Sequence, residues 1–277
     1  MPKFSPLLLI KLILWIAVVV SATRLLQKRK VSSKLRFFML AAGVIVFGVI
    51  YAFIVQGGVN PSPVLSLRGV LSSILVKHTI ALPLLGMLIV LLVMGIVSNK
   101  SLCGWGCQLG LLQDLLFRVP TPKWKPPFWL SNSVRSIAFI ALVGGMAWAT
   151  FDWIAHVDPF LLFSSKWVIP ALLFVSAILL ASLFIYRPWC QFLCPFGLVS
   201  WVLEQVSILR PRIDHDKCLG CKNCVDACPT GAMADFYEDK KIHADCFSCG
   251  ACIAACPRDE ALMWRGPRRG KNKETKG

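Results

Sequence analysis

Acidic residues are scarce in this chain: fourteen Asp and Glu stand among 277 residues, and all charged residues together make up 16% against 56% hydrophobic. So little charge excludes an ordinary soluble globular protein and points to a membrane protein carrying a smaller soluble part. Scattered cysteines are missing too, because all twelve fall in four short groups. That excludes the disulfide framework of a small secreted domain and favours metal chemistry. The net charge of +16 would suit nucleic acid. The basic residues, however, gather beside apolar runs, as cytoplasmic membrane flanks do, so no nucleic-acid partner is expected.

Five segments are apolar and about long enough to cross a bilayer: 4–23, 37–55, 80–97, 134–151 and 168–186. The first carries Lys11 and ends in "SAT" (Ser21–Thr23), which resembles a signal-peptide cleavage site. The loop after it holds Arg24, Lys28, Arg29, Lys30, Lys34 and Arg36 with no acid, so it resists translocation. Lys/Arg counts then alternate: Arg68 and Lys77 in 56–79, Lys100, Arg118, Lys123 and Lys125 in 98–133, and Lys166 alone in 152–167. The expectation is an outer N-terminus and a C-terminal domain in the cytoplasm.

Two of the cysteine groups are C-x3-C pairs at a constant offset of 87. Cys103, Cys107 and Gly110 match Cys190, Cys194 and Gly197. The match extends to Pro83/Pro170 and Lys100/Arg187, and to the apolar faces of two short amphipathic helices after the pairs. Outer connections echo each other as "VNP" (Val59–Pro61) and "VDP" (Val157–Pro159). The membrane part therefore reads as two parallel helix-hairpin repeats, 37–133 and 134–211, after an N-terminal helix and basic loop in 1–36. The repeat brings Cys103, Cys107, Cys190 and Cys194 to one membrane face. There they could form a third redox centre or metal site, act as thiols, or simply pack as small buried side chains.

After Pro211 the composition changes. "CLGCKNCVDACP" (Cys218 to Pro229) and "CFSCGACIAACP" (Cys246 to Pro257) both read C-x2-C-x2-C-x3-C-P. This run suits two [4Fe–4S] clusters whose fourth cysteines cross over. Cluster 1 would take Cys218, Cys221, Cys224 and Cys256, and cluster 2 Cys246, Cys249, Cys252 and Cys228. Structural zinc also uses C-x2-C but not two such runs. The expected fold is a membrane all-α part with a C-terminal α+β two-cluster ferredoxin-like domain over 212–264, then a basic tail over 265–277. Residues 214–264 hold nine of the acids, an acidic surface that could dock a basic redox partner. For quinol or proton handling the candidates are His78, Asp152, His156 and Asp158, all near outer ends of spans, where interfacial anchoring is the competing role.

Apolar spans, two C-x3-C sites and a two-cluster module together resemble the NapH/MauN-type ferredoxin family, and the cysteine pattern is similar to that of NosR-like and CcoG-like polyferredoxins. Gln108 stands where the family usually has proline, while Pro195 keeps it. The family is commonly described with four spans, so 4–23 is an addition. The resemblance implies the membrane subunit of a quinol dehydrogenase. Such a subunit is not catalytic alone and takes electrons from the quinone pool toward an iron–sulfur protein, cytochrome or reductase. It equally implies an alternative, an electron supplier for metalloenzyme maturation or regulation.

Overall fold

A computed structural model describes residues 6–55, 62–163 and 169–267. Val59–Pro61, Lys166 and most of the basic tail lie outside the described residues; the tail's first residue, Arg265, ends a β-strand.

The first apolar segment forms α1 (Pro6–Gln27). Lys11, Trp15, Val19, Ala22 and Leu26 repeat at helical spacing and are all buried, while Ile13, Ile16 and Val20 on the other side are exposed. Trp15 Nε1 donates to the Gly106 carbonyl at 3.1 Å. The helix is thus built into the body, and removing it as a leader would strip a face of the core. Ser32 caps α2 (Ser33–Gly43), which continues as a π-helical stretch over Val44–Val55.

The connection 56–79, read as a loop, contains α3 (Pro63–Leu75), capped by Ser62 and packed along α4 (Leu82–Ser98). Its Ser66, Leu67, Val70 and Ser73 face inward. Alternating serines and aliphatics blur the apolar signal, which is why α3 escapes a sequence reading. The left-handed Asn99 (φ 61°) ends α4. Two short helices follow, α5 (Ser101–Trp105) and α6 (Gln108–Phe117).

The second half has a similar order: α7 (Phe128–Ala149), the short α8 (Trp153–Val157), α9 (Ile169–Ala181), then α10 (Pro188–Phe192) and α11 (Pro195–Glu204). Three helical windows are long and apolar enough to cross a membrane: Leu9–Gln27, Ser33–Tyr51 and Phe128–Ala149. The segments 80–97 and 168–186 form apolar helices of 17 and 13 residues among the described residues, shorter than the expected spans.

The C-terminal module is framed by an antiparallel pair, β1 (Arg210–Ile213) and β2 (Leu262–Arg265), in register Arg210 to Arg265 and Ile213 to Leu262. Between them run α12 (Asn223–Asp226), α13 (Ala232–Tyr237) and α14 (Ala251–Ala255). Its core includes Cys224, Cys228, Cys252, Met233 and Trp264, but also Ala22, Leu26 and Val31 from the end of α1 and the loop beyond it. So small a module lacks apolar surface of its own, and the membrane helix supplies part of it.

Candidate functional site

The two cysteine runs have matching backbones. Gly220 and Lys222 in the first, Ser248 and Gly250 in the second, all adopt left-handed conformations (φ 69°, 56°, 52° and 78°). Successive left-handed turns aim N–H groups into a concavity suited to an anionic cluster. Lys222 and Ser248 each bear the steric cost of that geometry, about 1–2 kcal/mol.

The side chains are grouped crosswise. Burial first, then the neighbouring Cys256 and Cys218, push the Cys224 thiol above its ordinary range. Cys252 is raised by burial and then by Cys249 and Cys228, and Cys246 by burial, Glu204, Cys252 and Cys228. Cys228 thus neighbours Cys246, Cys249 and Cys252 of the second run, and Cys256 neighbours Cys224 of the first. Thiols alone, in two sets of four, are the donors a [4Fe–4S] cubane takes. No three Cys, His or acidic side chains among the described residues converge as a single ion would require.

The module sits on the C-x3-C elements. A Cβ on Gly104 would collide with the Phe247 carbonyl oxygen, so only glycine permits the approach. Trp105 Nε1 donates to the Ser248 carbonyl at 2.9 Å. Lys100, at the end of α4, forms ion pairs with Asp245 of the module and with Glu204 of α11, the latter at 3.0 Å. Arg135 of α7 meets Asp245 at 3.0 Å. Glu204 Oε1 also accepts from the Cys246 amide at 3.0 Å. Burial alone would lower the Lys100 pKa, but the carboxylates of Asp245 and Glu204 outweigh it and hold the ammonium above its ordinary value. Arg29, just after α1, donates to the carbonyls of Leu262, Cys256 and Ile253 at 2.6, 2.9 and 3.2 Å. Part of the basic loop read as membrane flank is thus a clamp on the module.

Beneath this seat the four remaining cysteines converge. Cys190 is raised by burial and then by Cys194, Cys107 and Cys103, and Cys103 by burial and then by Cys107 and Cys194. Cys194, at the start of α11, accepts from the Gly197 amide at 3.2 Å and is pushed up to about 12 by burial despite that bond. Cys107 holds the same place before α6. Glycine at 110 and 197 has a shared cause: a Cβ there would lie 2.9 Å from the Cys103 carbonyl oxygen and 2.7 Å from that of Cys190.

Arg187 donates to the carbonyls of Cys103 and of Gly104, the latter at 3.1 Å, and pairs with Asp114 at 2.9 Å. Arg135 donates to the Cys190 carbonyl at 3.2 Å. Lys11, Lys100, Arg135 and Arg187, all fully or almost fully buried, lie near the four thiols and offset part of the burial that pushes those thiols up.

Of the outer candidates, Asp152 and Asp158 are both paired with Arg68, a residue the sequence reading had not singled out. Asp152 also caps α8, and Asp158 accepts from the Phe160 amide at 3.0 Å. His156 lies over Phe151 with its Nδ1 3.1 Å from the Asp152 carbonyl. His78 is exposed in a left-handed turn and is not among the side-chain partners of that cluster. These contacts tie α3 to the connection between α7 and α9. The roles of Arg135, Glu204, Asp114 and Asp245 escaped the sequence reading; the first three carry a signal, a charge inside an apolar stretch.

Comparison with known proteins agrees with this geometry. A 4Fe-4S dicluster domain matches residues 210–257, and a 4Fe-4S binding domain matches twice, at 79–127 and 167–213. The ferredoxin-type protein NapH of Haemophilus influenzae is 26% identical over 160 residues, 54% of this chain and 54% of the relative. The methylamine utilization ferredoxin-type protein MauN of Methylorubrum extorquens is 25% identical over 157 residues, 52% of this chain and 53% of the relative. The regulatory protein NosR of Pseudomonas aeruginosa is 27% identical over 167 residues, 52% of this chain but 21% of the relative. The chain spans about half the length of the curated relatives it matches, 46%, 54% and 56% for three of them. No solved structure matches it. The chain thus carries 4Fe-4S binding domains and is related to the ferredoxin-type proteins NapH and MauN and to the regulatory protein NosR.

Proposed function

We propose that this protein is the quinol-oxidising membrane subunit of an electron-transfer chain, with the eight module cysteines holding two [4Fe–4S] clusters in the crossed order given above. A quinol releases two electrons and two protons on becoming a quinone, and each cluster accepts one electron. The observation that carries the reading is the seat: Gly104, Trp105, Lys100 and Arg135 press the 245–248 segment against the membrane body, while Cys221 of the other run is exposed. One end of the module thus faces the membrane and the other a soluble redox partner.

Five spans in two parallel repeats, in a bacterial inner membrane with the module on the cytoplasmic side, are part of the same proposal. They are supported by the basic loops and by the paired roles of Gly110 and Gly197. The tetrad Cys103, Cys107, Cys190 and Cys194, buried except for a half-buried Cys103, is assigned as an additional redox or metal site. The resemblance to MauN and NosR favours a second reading, supply of electrons for maturation or regulation of a metalloenzyme.

The test is anaerobic titration of the purified full-length protein with a quinol analogue, followed by electron paramagnetic resonance. Reduced-cluster signals are expected; their absence while a stronger reductant produces them would rule out quinol as donor. Iron analysis addresses the tetrad: about eight irons per chain means two cubanes, about twelve means a third.

A further inference from the structure

Beside Cys249, where the module meets α2 and α6, lies a cavity of about 420 Å³. That is within the range of small-molecule sites. Its walls are small or apolar, with Val31, Phe117, Pro229, Ala251 and Ala255 among them, and its polar end carries Arg36, Asp114 and Arg118.

The polar end is incompletely satisfied. Arg36 is only 4% exposed; its Nη2 pairs with Asp114 Oδ2 at 2.6 Å and its guanidinium lies over the Trp105 ring at 4.5 Å. Among the described residues its buried Nη1 has no hydrogen-bond partner. Leaving such a donor unmet costs about 1–3 kcal/mol, which a ligand oxygen would recover. Asp114 Oδ2 is crowded, accepting from Arg36, from Arg187 at 2.9 Å and from the Tyr186 hydroxyl at 2.7 Å. Among the described residues Oδ1 is met by Arg118 Nε at 3.7 Å, too long for a hydrogen bond. A free donor and an underused carboxylate oxygen therefore share one end of an apolar slot.

We propose that this cavity binds the ring of a membrane quinol, Arg36 Nη1 donating to a ring oxygen and Asp114 Oδ1 accepting from a hydroxyl. A quinone oxygen accepts a hydrogen bond and a quinol hydroxyl also donates one, which suits a donor beside an acceptor. A compact anion would meet the Asp114 carboxylate as well as the guanidinium, and the alanine walls offer it nothing. Leu35, Phe37 and Phe38, exposed on the first turns of α2, give a lipid-soluble ligand an apolar approach. Cys249 in the cavity wall places the ring beside the cysteines of cluster 2. The inference rests on quinol oxidation as the function and moves its site away from His78, Asp152, His156 and Asp158.

The experiment uses the full-length, cluster-loaded protein in phosphatidylcholine nanodiscs and a short-chain azido-quinone. Photolabelling followed by peptide mapping is expected to mark segments 31–36, 114–118 or 249–255. Arg36→Gln, and Ala255→Leu, which fills the slot from its wall, should each weaken quinone binding about tenfold while cluster absorption is retained. Label confined to the outer connections, or unchanged binding in both variants, overturns the site; if a quinol still reduces the wild-type clusters, the function survives without it. If the wild type neither binds quinone nor is reduced by quinol, function and site fall together. Labelling of the cavity by a photoactive phosphatidylglycerol that quinone does not displace would make it a lipid-headgroup site and overturn the proposal.

Discussion

The two cysteine runs of the module share a spacing and a backbone and differ in what they touch. In the first run Leu219 is 60% exposed, and a Cβ on Gly220 would meet nothing. In the second, Phe247 occupies the matching place and is 2% exposed, packed into the membrane core beside Tyr186. A Cβ on Gly250 would press on Leu26 and Val31 at 2.9 and 3.0 Å. One motif thus serves two environments. The cysteine spacing sets what can be bound, and the residues between the cysteines set which run is seated on the membrane body and which is left at the surface.

The comparison can be broken first at the cysteines. Cys256 lies in the seated run but faces the exposed one, so Cys256→Ser should lower iron by about four per chain and remove the signal of the exposed cluster. Loss of the seated cluster's signal instead would show that the runs do not cross. Next in size is Lys100→Met, which leaves Glu204 buried without its lysine and Asp245 with Arg135 alone. A loss of about 3–5 kcal/mol is expected in thermal or denaturant unfolding. Its surface counterpart, Lys217→Met at the exposed pair with Glu260, should leave unfolding unchanged.

Gly104→Ala should cost about 1–3 kcal/mol by forcing the Phe247 carbonyl away, and should increase alkylation of Cys246 and Cys249 in the iron-free protein. Gly220→Ala should cost about 1 kcal/mol from backbone strain alone, with no change in that alkylation. Equal alkylation in the two glycine variants would erase the distinction between the runs. The smallest effect concerns acid. Burial would raise the Asp114 pKa, but Arg36 and Arg187 outweigh it and hold the carboxyl well below the usual range. Its contribution is therefore full above the unfolded value near 3.9 and declines as pH falls below it. Asp114→Asn should flatten the pH dependence of unfolding in that acidic window.

Much of the site was legible because cluster chemistry demands thiols at short, repeated intervals, and such intervals survive in a linear string. The C-x3-C offset was legible for a similar reason: Gly110 and Gly197 each lie against a carbonyl of their own local turn. The seat was not. Lys100 and Asp245 are 145 residues apart, and Arg29 reaches Leu262 across 233. Nothing local in "SNKS" or "HADC" announces either partnership. Helix α3 was hidden by its serines, and Arg36 was read as one more membrane-flanking charge although its guanidinium is buried against Asp114 and Trp105.

By itself the sequence determined the chemistry: an apolar, acid-poor chain, four cysteine groups and a motif that admits iron–sulfur clusters. Those properties depend on residue type and short spacing. Tertiary structure alone decided which run meets the membrane, that the four other cysteines converge among buried cations, and that Arg36 opens onto a cavity beside Cys249. These depend on long-range packing, where burial makes every unpaired charge costly and so selects partners that no local pattern records.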